Sequence, residues 1–592
     1  MKVTGKSQVL KIILTFVICI TLVTVAGCSS SDGSGSSTEE YMLNMNIVGE
    51  GETTPEEGEY TYKDNEKVEL KAEETGDHLF YRWKGATAEK YVPDTSVWMT
   101  DDREVTAVFD QFDTGSYTYD LSYDDYQGIT LPDYGKEDDA FVLLYSTEDK
   151  MENYNKGKLL TDIDDGAQSA TESNPEATTP DEKIESRMNG IGMRRDIPVL
   201  RDKEKEILKD ADLSGPVEGD RDSQFSSKTD YSPENEQDFW VFINQDQDQD
   251  EKTAELKAKN EEEGVYLWAT KEAEKHLEDG DIEGIRDDFL DFRDRLNSLF
   301  GEEPELPDKD DYAPGFHILF TDFKDYPANG YFFGADLLTD DDIDEDLQTN
   351  ARKIVYINAD ILEASLDYTR GVIAHEYQHL LFCNEQLIQR NGPYETWINE
   401  GFSELAKDIA GYGFEQDIYS EVEYNNPVES YLDCPPDTSL INWRGDPKNY
   451  GMSYLFARYL YDLYEEEEDI LREISTSSRE AHQEIEESTG KEFEKVFADW
   501  AETVMRDTLA DVDNDSGAYD DIDLEEDSLA ITELNPGENI EETDQVVSWG
   551  VDFSRISSYE DGTGDLDIMV QDPADSGEFM KTVIRIQEGE GE

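Results

Sequence analysis

The sequence predicts a multidomain α+β chain: a small all-β module, a mixed stretch of strand and linker, a β layer running into a mostly helical region, and a short β tail. Three observations lead there. Between residues 41 and 110, short apolar runs alternate with turn residues at the spacing of a small β domain. From about Ile282 the pattern changes to short continuous apolar runs and then to long stretches of helical period. The chain is also long enough, at 592 residues, for several cores, and its 11% aromatic content supplies them.

The charge narrows the classes of partner. Lys and Arg number 50 against 143 Asp and Glu, a formal net charge of −93. Such a surface repels polyanions, so affinity for nucleic acid is excluded, as is binding to anionic lipid through charge. High charge alone would suit disorder, but 32 Tyr, 24 Phe and 8 Trp suit folded domains with acidic surfaces. Self-repulsion on that scale is relieved by salt screening, which points to a salt-rich, halophilic habitat. A merely acidic secreted protein is the alternative.

At the N-terminus, Lys2, Lys6 and Lys11 precede the apolar run Ile12 to Ala26, which is too short for a comfortable membrane span. It ends in Val25-Ala26-Gly27-Cys28, which resembles the lipobox of bacterial lipoproteins, with Val25 where Leu is commoner. The resemblance implies a signal peptide over 1–27, a lipidated Cys28, and an extracytoplasmic protein anchored to a bacterial membrane by lipid instead of a helix. An ordinary secretory signal with an incidental Cys is the other reading. Residues 28–40, rich in Ser and Gly, form a flexible tether.

Residues 41–111 form the β module, with strands expected at Leu43 to Val48, Lys67 to Ala72, Tyr81 to Trp83 and Val105 to Phe109. The Trp83-x-Gly85 and Thr106-Ala107-Val108-Phe109 pieces resemble the internalin-B-type B repeat, which implies a spacer or adhesion module. In residues 112–222 one strand is clear, Ala140 to Tyr145, and the stretch from about Asp162 to Asp222 reads as linker or propeptide-like sequence. A β layer follows over 223–281, with runs at Phe239 to Ile243 and Gly264 to Trp268. The Asp-Gln repeats at 245–250 between them read as an exposed loop. Residues 511–592 read as an acidic linker and the β tail. The Asp511 to Gly517 stretch there lacks the Gly and the final Glu of a calcium loop. Cys383 and Cys434 are either a disulfide pair or two free thiols.

The chemistry is concentrated in Gly371 to Phe382, where His375-Glu376-Tyr377-Gln378-His379 lies within an apolar periodic run. On a helix His375 and His379 share one face, which makes half of a zinc site with Glu376 beside it as a possible base. His317, in the apolar run Phe316 to Phe320, reads as a satisfied strand histidine. Glu400 follows His379 by 21 residues, enough for a loop and an antiparallel return helix. Glu404 falls on the same helical face, so one of the two could bind metal while the other hydrogen-bonds a ligand histidine.

His-Glu-x-x-His followed by Asn399-Glu400-Gly401-Phe402-Ser403-Glu404 resembles the gluzincin metallopeptidases, and within them the hyicolysin family. Tyr331 to Asp336, Ile354 to Asn358 and Tyr450 to Phe456 agree with that family too, so the resemblance covers roughly residues 225–510. It implies a zincin-like catalytic domain over 282–510, a β layer with an active-site helix followed by a mostly α-helical subdomain. It further implies a Zn2+ cofactor held by His375, His379 and Glu400, with Glu376 as general base and Glu404 orienting a ligand. Tyr450 is the implied oxyanion donor and Tyr454 the runner-up. Gly334-Ala335-Asp336 lacks the Glu with which exopeptidases hold a free amino terminus, which implies an endopeptidase acting on protein or peptide. A surface adhesion lipoprotein with an inactive peptidase-like scaffold is the competing function. The sequence leaves the oligomeric state unknown.

Overall fold

The computed structural model describes residues 40–164 and 233–587, each with short gaps, and 197–209. The signal stretch, Cys28, nearly all of the tether, and residues 245–247 and 511–515 lie outside the described residues. Among the described residues no helix is long and apolar enough to cross a membrane.

Residues 40–111 form two small sheets. Strands 58–63, 40–48, 103–111 and 78–85 make one, and strands 51–54, 66–74 and 94–99 the other. Leu43, Met45, Val97, Val105 and Trp83 fill the space between them. Trp98 is 53% exposed, because alternate residues of a strand face opposite sides.

The stretch 112–222 differs from expectation. Instead of one strand it holds four described strands, Ser116–Asp120, Gln127–Tyr134, Asp138–Ser146 and Lys158–Asp164, and a helix, α1, Ile197–Lys209. These strands pair with the C-terminal region: Asp138–Ser146 lies between Val551–Ile556 and Phe579–Gln587, and Lys158–Asp164 pairs with Gly564–Gln571. The tail and residues 116–164 therefore build one β unit. Tyr134 ties the two parts by donating its O–H to the Ile556 carbonyl at 2.6 Å. Phe141, Leu143 and Tyr145 join the main hydrophobic cluster of the helical region, so this unit is part of the body of the molecule.

The central sheet contains β1 (Glu236–Phe242), β2 (Gln249–Asn260), β3 (Val265–Thr270), β4 (Ala313–Thr321), β5 (Gly330–Phe332) and β6 (Arg352–Asn358), in the order β1-β2-β3-β4-β6-β5. β3, β4 and β6 are parallel, while β5 runs antiparallel to β6 along the edge. β3 and most of β4 and β6 are buried, as their continuous apolar runs require. His317 lies in this core as expected: its Nδ1 accepts from Trp268 Nε1 at 3.0 Å. Burial pushes its pKa well below the usual imidazole range.

Against the sheet lie α2 (Asp281–Phe300) and α3 (Leu366–Cys383); α4 (Thr396–Ala410) packs on α3 and on α5 (Pro447–Glu468), and α6 (Phe493–Asp507) follows. α3 is buried along nearly its whole circumference, the mark of a central helix. Ser365 caps its start by accepting from Tyr368 N, and Gly411, at φ 85°, ends α4 in the left-handed conformation glycine tolerates. Cys383 and Cys434 are free thiols, not a disulfide.

Candidate metal centre

The site forms where α3 and α4 cross beneath the edge strand β5. Gly330 permits the approach: a Cβ there would lie 2.6 Å from Val372 Cγ1 and 3.1 Å from Glu376 Cγ. On the other side of α4, a Cβ on Gly401 would come within 2.7 Å of the Ser453 carbonyl of α5. Both helices are thus held close by missing side chains.

His375, His379 and Glu400 offer ligand atoms that all lie within 4.8 Å of one another. The Nε2 atoms of the two imidazoles stand 3.3 and 3.5 Å from the same Glu400 oxygen, Oε2. Their other nitrogens are turned outward. His379 Nδ1 is 3.0 Å from Asn399 Oδ1, an acceptor that assigns the proton to Nδ1 and leaves the Nε2 lone pair for a metal. Ser403 Oγ lies 3.0 Å from the same Nδ1. His375 Nδ1 lies 3.2 Å from Glu404 Oε1, whose second oxygen accepts from Lys407 Nζ at 2.8 Å and Tyr419 O–H at 3.0 Å.

The charges test whether a divalent cation fits. Glu204, Glu376, Glu400 and Glu404 face or flank the site together with Arg201 and Lys407, and none of the six is more than 4% exposed. Four carboxylates against two cations leave two buried negative charges when the imidazoles are neutral. Both Glu400 oxygens are buried without an aligned hydrogen-bond donor. Buried charge of this kind requires a partner, and one divalent ion meets the need. Two imidazoles and one carboxylate are the donor set of a zinc centre that keeps a further position open. Burial pushes the Glu400 carboxyl up, but His379 and His375 outweigh it and hold it well below the carboxylate range. Burial, with Arg201 nearby, lowers His379, which favours the neutral ligand form.

Glu376 is on α3 beside the triad, lining with Asn329, Gly330, Val372, His375 and Lys407 a cavity with room for about one water. Tyr450 is buried, its ring centroid 6.4 Å from that of His375 and edge-on to Trp443. Tyr454 donates its O–H to Asp408 and belongs to the core beside α4. Asp336 accepts from Tyr356 O–H at 2.7 Å and from Asn350 N at 2.7 Å, in a buried network under the sheet edge.

Sequence reasoning missed Arg201. Its Nε lies 3.6 Å from Glu400 and its Nη2 4.0 Å from Glu376. It also missed Lys407 and Tyr419, which hold Glu404, and Asn399 and Ser403, which hold His379. The i, i+3 spacing of Glu404 and Lys407 on a helical face was the available signal for that pair. No pattern in the sequence ties Arg201 to Glu400.

No family model matches the chain. A curated protein does: the neutral metalloprotease ShpI of Staphylococcus hyicus, 25% identical over 252 residues. The match takes in 40% of this chain and spans about half of the relative, 53% of its length. The homology is distant. Together with the triad it supports a gluzincin-like zinc-metallopeptidase fold.

Proposed function

We propose that this protein is a zinc-dependent endopeptidase of the hyicolysin type, carried at the outer face of a bacterial membrane by a lipid on Cys28. The observation that carries the enzymatic part is the convergence of His375 Nε2, His379 Nε2 and Glu400 Oε2 with Glu376 alongside. The anchor rests on Val25-Ala26-Gly27-Cys28 and the apolar run before it.

A zinc ion held by the triad would supply Lewis acidity and bring bound water toward deprotonation near neutral pH. Glu376, adjacent in sequence to a ligand but not needed as one, takes the proton of the attacking water on a carboxylate oxygen and delivers it to the leaving amine. Tyr450 offers its O–H to the oxygen on which negative charge develops. Glu404, fixed by Lys407 and Tyr419, keeps the His375 ring in register, and Asn399 does the same for His379. Intact Glu376 beside an intact triad favours this over an inactive scaffold that serves adhesion.

The test is metal content and casein hydrolysis of the chain in high salt, beside Glu376→Gln. One zinc per chain in both, with hydrolysis lost in the variant, supports the proposal. A chain that binds no zinc sinks it.

A further inference from the structure

Helix α1 brings a buried ion pair to the metal centre from outside the catalytic region. It arrives from residues 165–196 and leaves through 210–232, and its partners include groups of the metal centre. Leu200 and Leu208 are buried in the two clusters of the catalytic region. Between them Arg201 and Glu204, an i, i+3 pair, project onto the edge strand.

What that pair occupies is informative. Arg201 Nη1 donates to the Phe332 carbonyl at 3.3 Å, and Glu204 Oε1 accepts from the Gly334 N–H at 2.8 Å. The Phe332 carbonyl and the Gly334 N–H flank Phe333, an extended residue just past the end of β5, and a carbonyl and an N–H so spaced are the groups an added extended peptide would pair with. The Arg201 guanidinium then continues inward to Glu400 and Glu376. The cavity at Glu376 holds about one water, and the Arg201 guanidinium stands within 4.0 Å of both Glu376 and Glu400. Elsewhere Tyr394 donates its O–H to Glu204 at 3.1 Å, Lys205 donates to the Pro393 carbonyl, and the Lys203 ammonium lies 5.9 Å from the centre of the Phe242 ring.

We infer that α1 is an intramolecular inhibitor, a segment of this chain seated on the edge strand β5 in place of a peptide substrate, and that the enzyme works well below its full rate until α1 leaves. The inference rests on the peptidase reading above. Charge permits the departure, because Arg201 and Glu204 neutralise each other. Without them Glu376, Glu400 and Glu404 face Lys407 alone, the same two uncompensated negative charges as before, so leaving strands no new charge. The strands of residues 116–164 are paired with the C-terminal strands, so they would stay behind when the segment around α1 is cut out.

The test uses the full zinc-loaded chain with one sequence-specific protease site placed in 165–196 and another in 210–232. After folding, the chain is cut at both and α1 is washed away. Casein hydrolysis and the rate of zinc loss to a chelator should both rise by about tenfold or more, as expected when a closed state dominates. A synthetic peptide of residues 197–209 should reverse both, and the same peptide with Arg201→Ala should do so at least about tenfold less well. Arg201→Ala in the uncut chain should change both readouts in the same direction as cutting. Zinc bound throughout, with hydrolysis and zinc loss unchanged or lower after removal of α1, would overturn the inference and leave the peptidase reading standing. No zinc in any form would remove both.

Discussion

Two buried ion pairs of the same design flank the metal centre, and they differ in what they turn toward it. On α4, Lys407 fixes Glu404, so that an anion faces the His375 ring. On α1, Glu204 fixes Arg201, so that a cation faces Glu400 and Glu376. Both pairs are spaced i, i+3 and both are almost fully buried. The first belongs to a helix that supplies a ligand of its own and is packed on α3 and α5. The second belongs to a helix that supplies no ligand. An anion beside an imidazole strengthens it as a metal ligand, whereas a cation beside a carboxylate competes with the metal for it. The α4 pair is therefore part of the working site, and the α1 pair closes it.

Substitutions separate the roles of the two pairs. The largest effect is at neither pair: Glu376→Gln should lower hydrolysis by about a hundredfold or more while zinc stays bound, the loss expected for a missing general base. Next, Glu404→Ala should weaken zinc about tenfold to a hundredfold, read by competition with a chromophoric chelator, because an outer partner of a ligand histidine is lost. Removal of α1 has the opposite sign for activity. If Glu404→Ala and Arg201→Ala moved hydrolysis in the same direction, the distinction between the two pairs would be lost.

A smaller effect concerns pH and a carboxylate outside the triad. Burial pushes Asp336 up to about 7, against hydrogen bonds from Tyr356 and Asn350. Its folded pKa is raised, so its contribution to stability is present below the unfolded value of 3.8 and is lost as pH rises through about 7. Asp336→Asn should therefore flatten the decline of Tm between those limits, and an unchanged slope would contradict the assignment. The smallest effect is general: with a net charge of −93, Tm should rise with added salt, and a flat response would count against a salt-adapted surface.

What the sequence made legible was local. His375, His379 and Glu400 could be placed because helical spacing and a short connection bring them together. The strands around Phe316 and Ile354 could be placed because burial on both faces leaves continuous apolar runs. What it hid was long-range. Ser116–Asp120 and Lys158–Asp164 are short strands carrying Asp, and their partners lie at the far end of the chain. α1 was hidden for a related reason: Arg201 and Glu204 look like a solvated charge pair until the Phe332 carbonyl and the Gly334 N–H are seen beneath them. Charged residues on a polar stretch carry no sign of burial when the surface that buries them comes from elsewhere.

The roles of both pairs depend on His375, His379 and Glu400 holding a single zinc ion. Native mass spectrometry of the full chain, beside Glu400→Ala and Glu376→Gln, tests it most directly. The account predicts one zinc in the wild type and in Glu376→Gln, and its loss in Glu400→Ala. Zinc retained in Glu400→Ala, or absent from the wild type, would contradict it.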